Sequence, residues 1–290
     1  MPLVPTADLI RYAQGAHRAV AAFNVITLEH AEGIALGAER AGMPVIFQIS
    51  ENAIKYHGSP YAIAAASAAV ARNSTAAVSL HLDHITDPSL AYLAPELSAS
   101  SVMYDGAAFS YEENVRRTRE VAKWGEQHGI WIEAELGEIG GKYGAHVSGV
   151  RTDPTEAHQF VEATGVAGLA VAVGSSHAMT SKTALLDHSL IKRLNASVGI
   201  PLVLHGSSGV SDEELRLAVE DGMVKINIGT SLNIAFTTAV RHYMTNNEAE
   251  TDPRKYLATS RNAVADAVTR TLSVLGDRGQ EESQVIPKSA

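Results

Sequence analysis

Short aliphatic and β-branched runs alternate along this chain with longer stretches whose apolar residues recur every three to four positions. The short runs fall at 19–24, 44–49, 76–82, 101–104, 130–135, 168–173, 201–205 and 223–227. They have the length of strands, and the stretches between them have the period of amphipathic helices. Helix starts are legible in Ser59-Pro60, Asp87-Pro88, Asp153-Pro154 and Asp252-Pro253, where a capping side chain precedes a proline suited to a first helical turn. Ser110 with Glu113 and Ser211 with Glu214 have capping-box spacing. No Asn-Gly or similar hairpin turn joins two strands. Alternation of this kind predicts a parallel sheet, and eight units predict closure into a (β/α)8 TIM barrel. A Rossmann-type sheet is the competing architecture, but no G-x-G-x-x-G follows the first strand. An additional C-terminal helix is expected over 253–275. No linker interrupts the pattern, so residues 1–290 read as one domain, with 276–290 a polar, frayed tail.

In such barrels chemistry is built where the strands end, at the C-terminal rim. Period two then gives each strand an inner face. In Met223-Val224-Lys225-Ile226-Asn227 the odd positions share a face, which sends Asn227 into the barrel mouth and leaves Val224 and Ile226 to pack under helices. The same parity turns His205 inward. The other strands end at Asn24, Ser50, His81-Leu82-Asp83-His84, Asp105, Glu133-Ala134-Glu135 and, just past the sixth, Gly174-Ser175-Ser176-His177. Nearly every strand thus ends in a group able to hydrogen-bond or to bind a metal.

Three of these endings are histidines: His84, His177 and His205. A catalytic zinc takes three protein ligands and keeps one position open, which this trio can supply. The chain has 12 histidines, and His30, His57, His128, His158, His188 and His242 read as surface or helix positions. Asp83 can be a general acid or can orient His84. Asp105 and Glu135 can approach a second cation or pair with Lys or Arg. Glu133 reads as structural. Lys225, on the eighth strand, is a deep ion-pair partner or a Schiff-base lysine.

Gly206-Ser207-Ser208-Gly209 follows the seventh strand, and Asn227-Ile228-Gly229-Thr230 leads from the eighth into a helix. Backbone N–H groups and hydroxyls after strands seven and eight make the recurrent phosphate site of these barrels.

Composition narrows the partners. The net charge of −9 argues against nucleic acid and anionic membranes as general partners. Cysteine is absent, which excludes disulfide and thiolate chemistry. The start Met1-Pro2-Leu3-Val4 lacks the features of a secretory signal, and the longest uncharged stretch, 58–71, is too short to span a bilayer. A cytoplasmic protein is expected. At 46% hydrophobic and only 6% aromatic, the core must be built of Ala, Val, Ile and Leu.

The chain resembles the class II fructose-bisphosphate and tagatose-bisphosphate aldolases. The matching segments are Ala22-Phe23-Asn24-Val25, Leu80-His81-Leu82-Asp83-His84, Val102-Met103-Tyr104-Asp105-Gly106, Glu133-Ala134-Glu135-Leu136-Gly137, Leu202-Val203-Leu204-His205-Gly206, Lys225-Ile226-Asn227 and Asp252-Pro253-Arg254-Lys255-Tyr256-Leu257. They run in order through almost the whole chain. The resemblance implies Zn2+ on His84, His177 and His205, with Asp83 as proton donor to the aldehyde oxygen. It implies Asp105 and Glu135 at a second metal position. It places the phosphate of the dihydroxyacetone-phosphate half on Gly206, Ser207, Ser208, Asn227, Ile228, Gly229 and Thr230, with a Na+ or K+ ion beside it. Asn24 and Ser50 would contact the rest of the substrate. Arg261 stands where fructose-bisphosphate members carry an arginine that reaches a second phosphate across a subunit interface, so a homodimer or homotetramer is expected. Fructose 1,6-bisphosphate is therefore favoured. Tagatose bisphosphate, or another phosphorylated ketose of sugar or inositol catabolism, is the alternative.

Departures from the family pattern concentrate in loops. After Glu135 the family carries an acidic cluster past a Gly-Gly pair; here Gly140-Gly141 is followed by Lys142-Tyr143-Gly144-Ala145-His146. With Lys142 normally protonated and Tyr143 a poor base near neutrality, His146 is the local candidate for the base acting at C3. Glu138 precedes the glycine pair. Ala178 and Gly229 also replace residues usual in the family. The missing loop acid leaves open a different class of function, a catalytically weakened barrel acting as a binding or interaction subunit.

Overall fold

A computed structural model of the chain describes residues 3–136, 151–176, 179 and 181–276. The predicted strands are all present: β1 (Val20–Asn24), β2 (Val45–Ser50), β3 (Val78–Ile85), β4 (Ser101–Tyr104), β5 (Trp131–Glu135), β6 (Gly168–Ala170), β7 (Leu202–Leu204) and β8 (Met223–Ile228). Each pairs in parallel with its sequence neighbour, and β1 pairs with β8, so the sheet closes into a barrel. Helices α1 (Thr6–Gly15), α2 (Leu28–Ala41), α3 (Glu51–His57), α4 (Tyr61–Asn73), α5 (Pro88–Ala91), α6 (Tyr111–His128), α7 (Pro154–Thr164), α8 (His188–Val198), α9 (Asp212–Glu220), α10 (Thr230–Asn246) and α11 (Pro253–Gly276) complete the described chain. The tail expected to fray lies, beyond Gly276, outside the described residues. Among the described residues no helix is long and apolar enough to cross a membrane.

Two apolar layers result from the strand parity. Ala21, Phe23, Val45, Phe47, Leu80, Leu82, Ile132, Leu169, Leu204 and Ile226 face the helices and form the larger core. Val20, Ala22, Ile46, Ala170, Ala172 and Val203 face inward with Leu9, Ile10 and Ala13 of α1. The periodicity of the strands does not announce α1, which nonetheless seals one end of the barrel. Thr6 anchors it there, its hydroxyl bonded to those of Ser79, Ser100 and Ser101. The parity of β8 holds only from Lys225 upward. Leu202 pairs with Met223 and Val203 with Lys225, so a bulge skips Val224. Met223 then joins the outer core and Val224 the inner one, the reverse of the expectation.

The caps follow the sequence with three corrections. Asp87, Asp153, Ser110 and Ser211 each accept from a backbone N–H in the first turn of the helix they precede. The Glu113 side chain, however, does not reach back to close a capping box; it pairs with Arg116 and Arg117. Glu214 likewise turns to the Leu186 N–H. A reciprocal box forms instead at Thr27 and His30. Pro60 stands one residue outside α4 as its cap rather than inside the first turn.

α11 lies across α2 because glycines permit close approach. A Cβ at Gly37 would fall 2.6 Å from Val268 Cβ and 2.7 Å from the Ala265 carbonyl oxygen. Gly33 meets the Arg261 carbonyl oxygen and Val264 in the same way. Gly37→Ala should therefore destabilise the protein even though alanine is the better helix former. An overpacking cost of about 1–3 kcal/mol opposes a helix gain of at most about 1 kcal/mol. Urea denaturation checks this: the midpoint should fall at unchanged slope, and an unchanged or raised midpoint would refute the tight crossing.

Candidate active site

At the rim of β3 the backbone departs from regular strand geometry. Leu82 pairs with Val102 and Ile85 with Tyr104, so Asp83 and His84 together oppose Met103. His84 takes φ +51°, a left-handed conformation uncommon for a residue with a Cβ. Simple alternation would send Asp83 inward and His84 outward; the bulge lets both face the barrel mouth. The corner is held from two sides. Asp105 N–H donates to the Ile85 carbonyl at 2.8 Å, and Glu51 accepts from the Thr86 N–H at 2.6 Å and from the Thr86 hydroxyl.

His84 Nδ1 lies 2.9 Å from Asp105 Oδ2, and its ring stands edge-on to that of His205 with centroids 4.9 Å apart. Two groups of side chains here could hold a metal ion. Donor atoms of Asp83, His84 and His205 lie within 4.8 Å of one another, as do those of His84, Asp105 and Glu135. His84 belongs to both. His177 and His146 lie outside the described residues.

Beneath the rim the barrel interior is charged. Lys225 Nζ donates to Glu133 Oε2 at 2.7 Å, and Glu133 Oε1 lies 2.9 Å from His205 Nε2. All three side chains are completely buried. A carboxylate can only accept, so His205 carries its proton on Nε2 and presents Nδ1 as the basic nitrogen. Lys225 is thus the internal ion-pair partner. Glu133 braces a candidate ligand as well as the fold. Nearby, burial and then the Lys225 charge hold the His81 imidazole well below its usual pKa. Neutral, it bonds through Nδ1 to the Ser101 hydroxyl at 2.8 Å.

A pocket of about 200 Å³ opens over these groups. Asn24, Ser50, Asp83, His84, His205, Gly206, Ser207, Ser208, Asn227, Gly229 and Thr230 line it. Ile228 does not: it ends β8 buried in the outer core. Gly206, at φ +66°, lies so close to the Ser176 backbone that a Cβ would meet the carbonyl carbon and oxygen at 2.5–2.6 Å. Ser207 donates its hydroxyl to the Asn227 carbonyl, and Ser208 accepts from the Ser231 N–H at 3.1 Å. Hydroxyls after β7 therefore meet the N-terminus of α10, where the helix dipole favours an anion.

Arg261 is not in this pocket. It lies on α11 and pairs with Glu32 of α2 at 2.8 Å. Two lining residues escape the reading of strand ends, Gln48 and Asn52. Gln48 is buried and donates to Asn24 Oδ1 at 3.3 Å. A polar residue sharing the inward parity of Ser50 in an otherwise aliphatic strand is the signal that finds it. Asn52 sits in the first turn of α3, and no sequence periodicity marks it.

Known proteins share this fold. The profile of the class-II fructose-bisphosphate aldolases matches residues 4–280. The crystal structure of the YdjI aldolase from Escherichia coli K12 is similar at 31% identity and a TM-score of 0.83, covering 96% of this chain and 98% of that one. A Coccidioides immitis protein provisionally named a fructose-1,6-bisphosphate aldolase gives 29% identity and a TM-score of 0.83, over 94% and 96% of the two chains. The Campylobacter jejuni fructose-bisphosphate aldolase, at 21% identity, a TM-score of 0.81 and coverage of 95% and 96%, shares the fold. A profile match over nearly the whole length, with a relative above 30% identity, settles kinship: the chain belongs to the class II fructose-bisphosphate aldolase family of carbon–carbon lyases.

Proposed function

We propose that the protein reversibly cleaves a ketose 1,6-bisphosphate, fructose 1,6-bisphosphate first, into dihydroxyacetone phosphate and a phosphorylated aldehyde. The observation that carries this reading is the meeting, in one pocket, of Asp83, His84 and His205 with the hydroxyls of Ser207, Ser208 and Thr230. The donor set suits zinc: two imidazoles close together, each with a carboxylate against one ring nitrogen, and Asp83 beside both. His84 and His205 would hold the ion, joined by His177 as the family pattern implies. When bound there, zinc supplies Lewis-acid stabilisation of the negative charge that bond cleavage leaves on the ketone oxygen.

The chain's own groups handle phosphate and protons. Ser207, Ser208, Asn227 and Thr230, with the α10 N-terminus, would bind the phosphate of the dihydroxyacetone-phosphate half. Asn24 and Ser50 would orient its remaining oxygens. In the cleavage direction a base takes the C4 hydroxyl proton, the C3–C4 electron pair stays with C3, and C3 then receives a proton. Asp83, almost wholly buried at the rim, would make the first transfer and return the proton to the aldehyde oxygen in condensation. We assign the C3 transfer to His146, for want of a carboxylate after the Gly140-Gly141 pair. Asp105 and Glu135 would serve a second cation position beside His84.

Chelator treatment should abolish cleavage of fructose and tagatose bisphosphates, and added Zn2+ or Co2+ should restore it. Full activity after exhaustive chelation, with borohydride trapping substrate on a lysine, would overturn the metal mechanism. Asp83→Ala should keep near-normal metal content while turnover falls by roughly 10²–10⁴. His146→Ala should instead slow exchange of the C3 proton of dihydroxyacetone phosphate with solvent more than it weakens binding. Loss of metal in the first variant, or unchanged exchange in the second, would reject the respective role. Arg261, outside its own pocket, can reach a substrate only in a neighbouring subunit. The protein should then be at least a dimer in solution, and Arg261→Ala should chiefly raise KM for the bisphosphate. A fully active monomer seen by analytical ultracentrifugation contradicts this.

A further inference from the structure

Asp105 and Glu135 reach His84 from two different strand ends, β4 and β5. One buried side chain outside the pocket touches both of these segments. Asn114, in the first turns of α6, donates through Nδ2 to the carbonyl oxygens of Glu135 at 3.2 Å and Leu136 at 3.3 Å. Two carbonyls can only accept, so the amide orientation is forced. Its Oδ1 accepts from the Thr118 hydroxyl at 2.8 Å, one helical turn on. The same oxygen fills the space where a Cβ at Gly106 would lie, so the chain just after Asp105 rests directly on this amide. Asn114 and Thr118 are 1% and 0% exposed. α6 is a firm base for them, with Val121, Ala122 and Gly125 buried beneath the same helix.

We propose that Asn114, aimed by Thr118, is a positioning residue that sets the Asp105 and Glu135 backbones against each other and so fixes the carboxylates that face His84. This rests on the reading that His84 holds a metal ion. The physical case is one of shared support. The Asp105 carboxylate accepts from His84 Nδ1 and from the Ala107 N–H at 3.2 Å, so its direction follows the backbone at Gly106. The Glu135 carboxylate leaves the strand at the residue whose carbonyl Asn114 grips. A few tenths of an ångström of slack at Asn114 therefore reaches two of the three donors in the His84, Asp105 and Glu135 group. Partners that orient ligands in this way commonly change metal affinity by about 10–100-fold when altered.

Co2+ is a suitable probe, because its affinity and its visible absorption both report the donor set without requiring turnover. The full-length protein is stripped by chelator and titrated with Co2+ alone. Asn114→Asp keeps the shape and the Thr118 bond but removes both donated hydrogen bonds. It should weaken Co2+ binding by about 10–100-fold and alter the visible band. Thr118→Val should shift both readouts the same way by less, and Thr118→Ser, which keeps the hydroxyl, should restore them. Val121→Ala, on the same helix, should lower stability and leave Co2+ binding as in the wild type. Wild-type affinity and spectrum in a folded Asn114→Asp protein would overturn the proposal, as would equal losses in Val121→Ala. Should the Asn114 variant fail to fold, the Thr118 pair decides on the same readouts. A wild-type protein that takes up no Co2+ removes the metal reading itself, and is told apart from failure of the positioning role by needing no variant.

Discussion

The structure is organised around a charge that water cannot reach. Lys225 and Glu133 are both fully buried in the barrel, and each needs the other. Removing one partner from such a pair leaves an uncompensated interior charge, at a cost of about 3–5 kcal/mol. Their bond crosses the barrel between β5 and β8, and Glu133 spends its second oxygen on His205 of the β7 rim. Three non-adjacent segments of sequence thus share one electrostatic constraint. It keeps the rim histidine in one tautomer and one orientation while the barrel stays closed.

Polarity inside the barrel rises along its axis, and the sequence of each strand is graded to match. The apolar inner positions Val20, Ala22, Ile46, Ala170, Ala172 and Val203 form one cluster with Leu9, Ile10 and Ala13 of α1, which seals one end. Farther along the inner face stand Ser79, His81, Ser101, Glu133 and Lys225, where Ser101 bonds His81, Lys225 pairs with Glu133 and Ser79 bonds Thr6 of α1. At the rim come Asn24, Ser50, Asp83, His205 and Asn227, whose side chains line the pocket. Each step outward exchanges internal pairing for groups that can meet a ligand. A strand that is apolar on its outer face can carry polar groups inward without weakening the core against the helices.

At the β3 end the rim must break the period-two rule. His84 adopts a strained backbone so that it and Asp83 can serve the same cavity, and strain of this kind persists only where the surroundings over-determine it. Here the surroundings are the Glu51 clamp on Thr86, the pairing of Ile85 with Tyr104, and the bond from Asp105 N–H to Ile85. Gly206 and Gly229 play the matching part across the pocket. Each brings backbone against a neighbour that a side chain would displace, Ser176 in one case and Asn24 in the other.

Much of this was legible in the sequence, because period and parity are local properties. The eight strands, the closed parallel sheet, the inward turn of His205 and Asn227, the caps at Asp87 and Asp153, and eight of the ten expected substrate-side residues need only neighbouring residues to be read; those eight line the pocket, and Arg261 and Ile228 do not. Contacts between distant segments carry no such periodic signal. The bulges at Val224 and His84, the α1 seal, the reversal of Met223 and Val224, and the turning of Glu113 and Glu214 away from their capping boxes were decided by tertiary packing. So were the salt bridge that holds Arg261 against Glu32 and the place of Asn114 beneath two strand ends. The sequence determined which side chains stand at the rim; closure of the barrel decided which of them meet, since only closure gathers groups from the ends of β3, β4, β5 and β7 around His84.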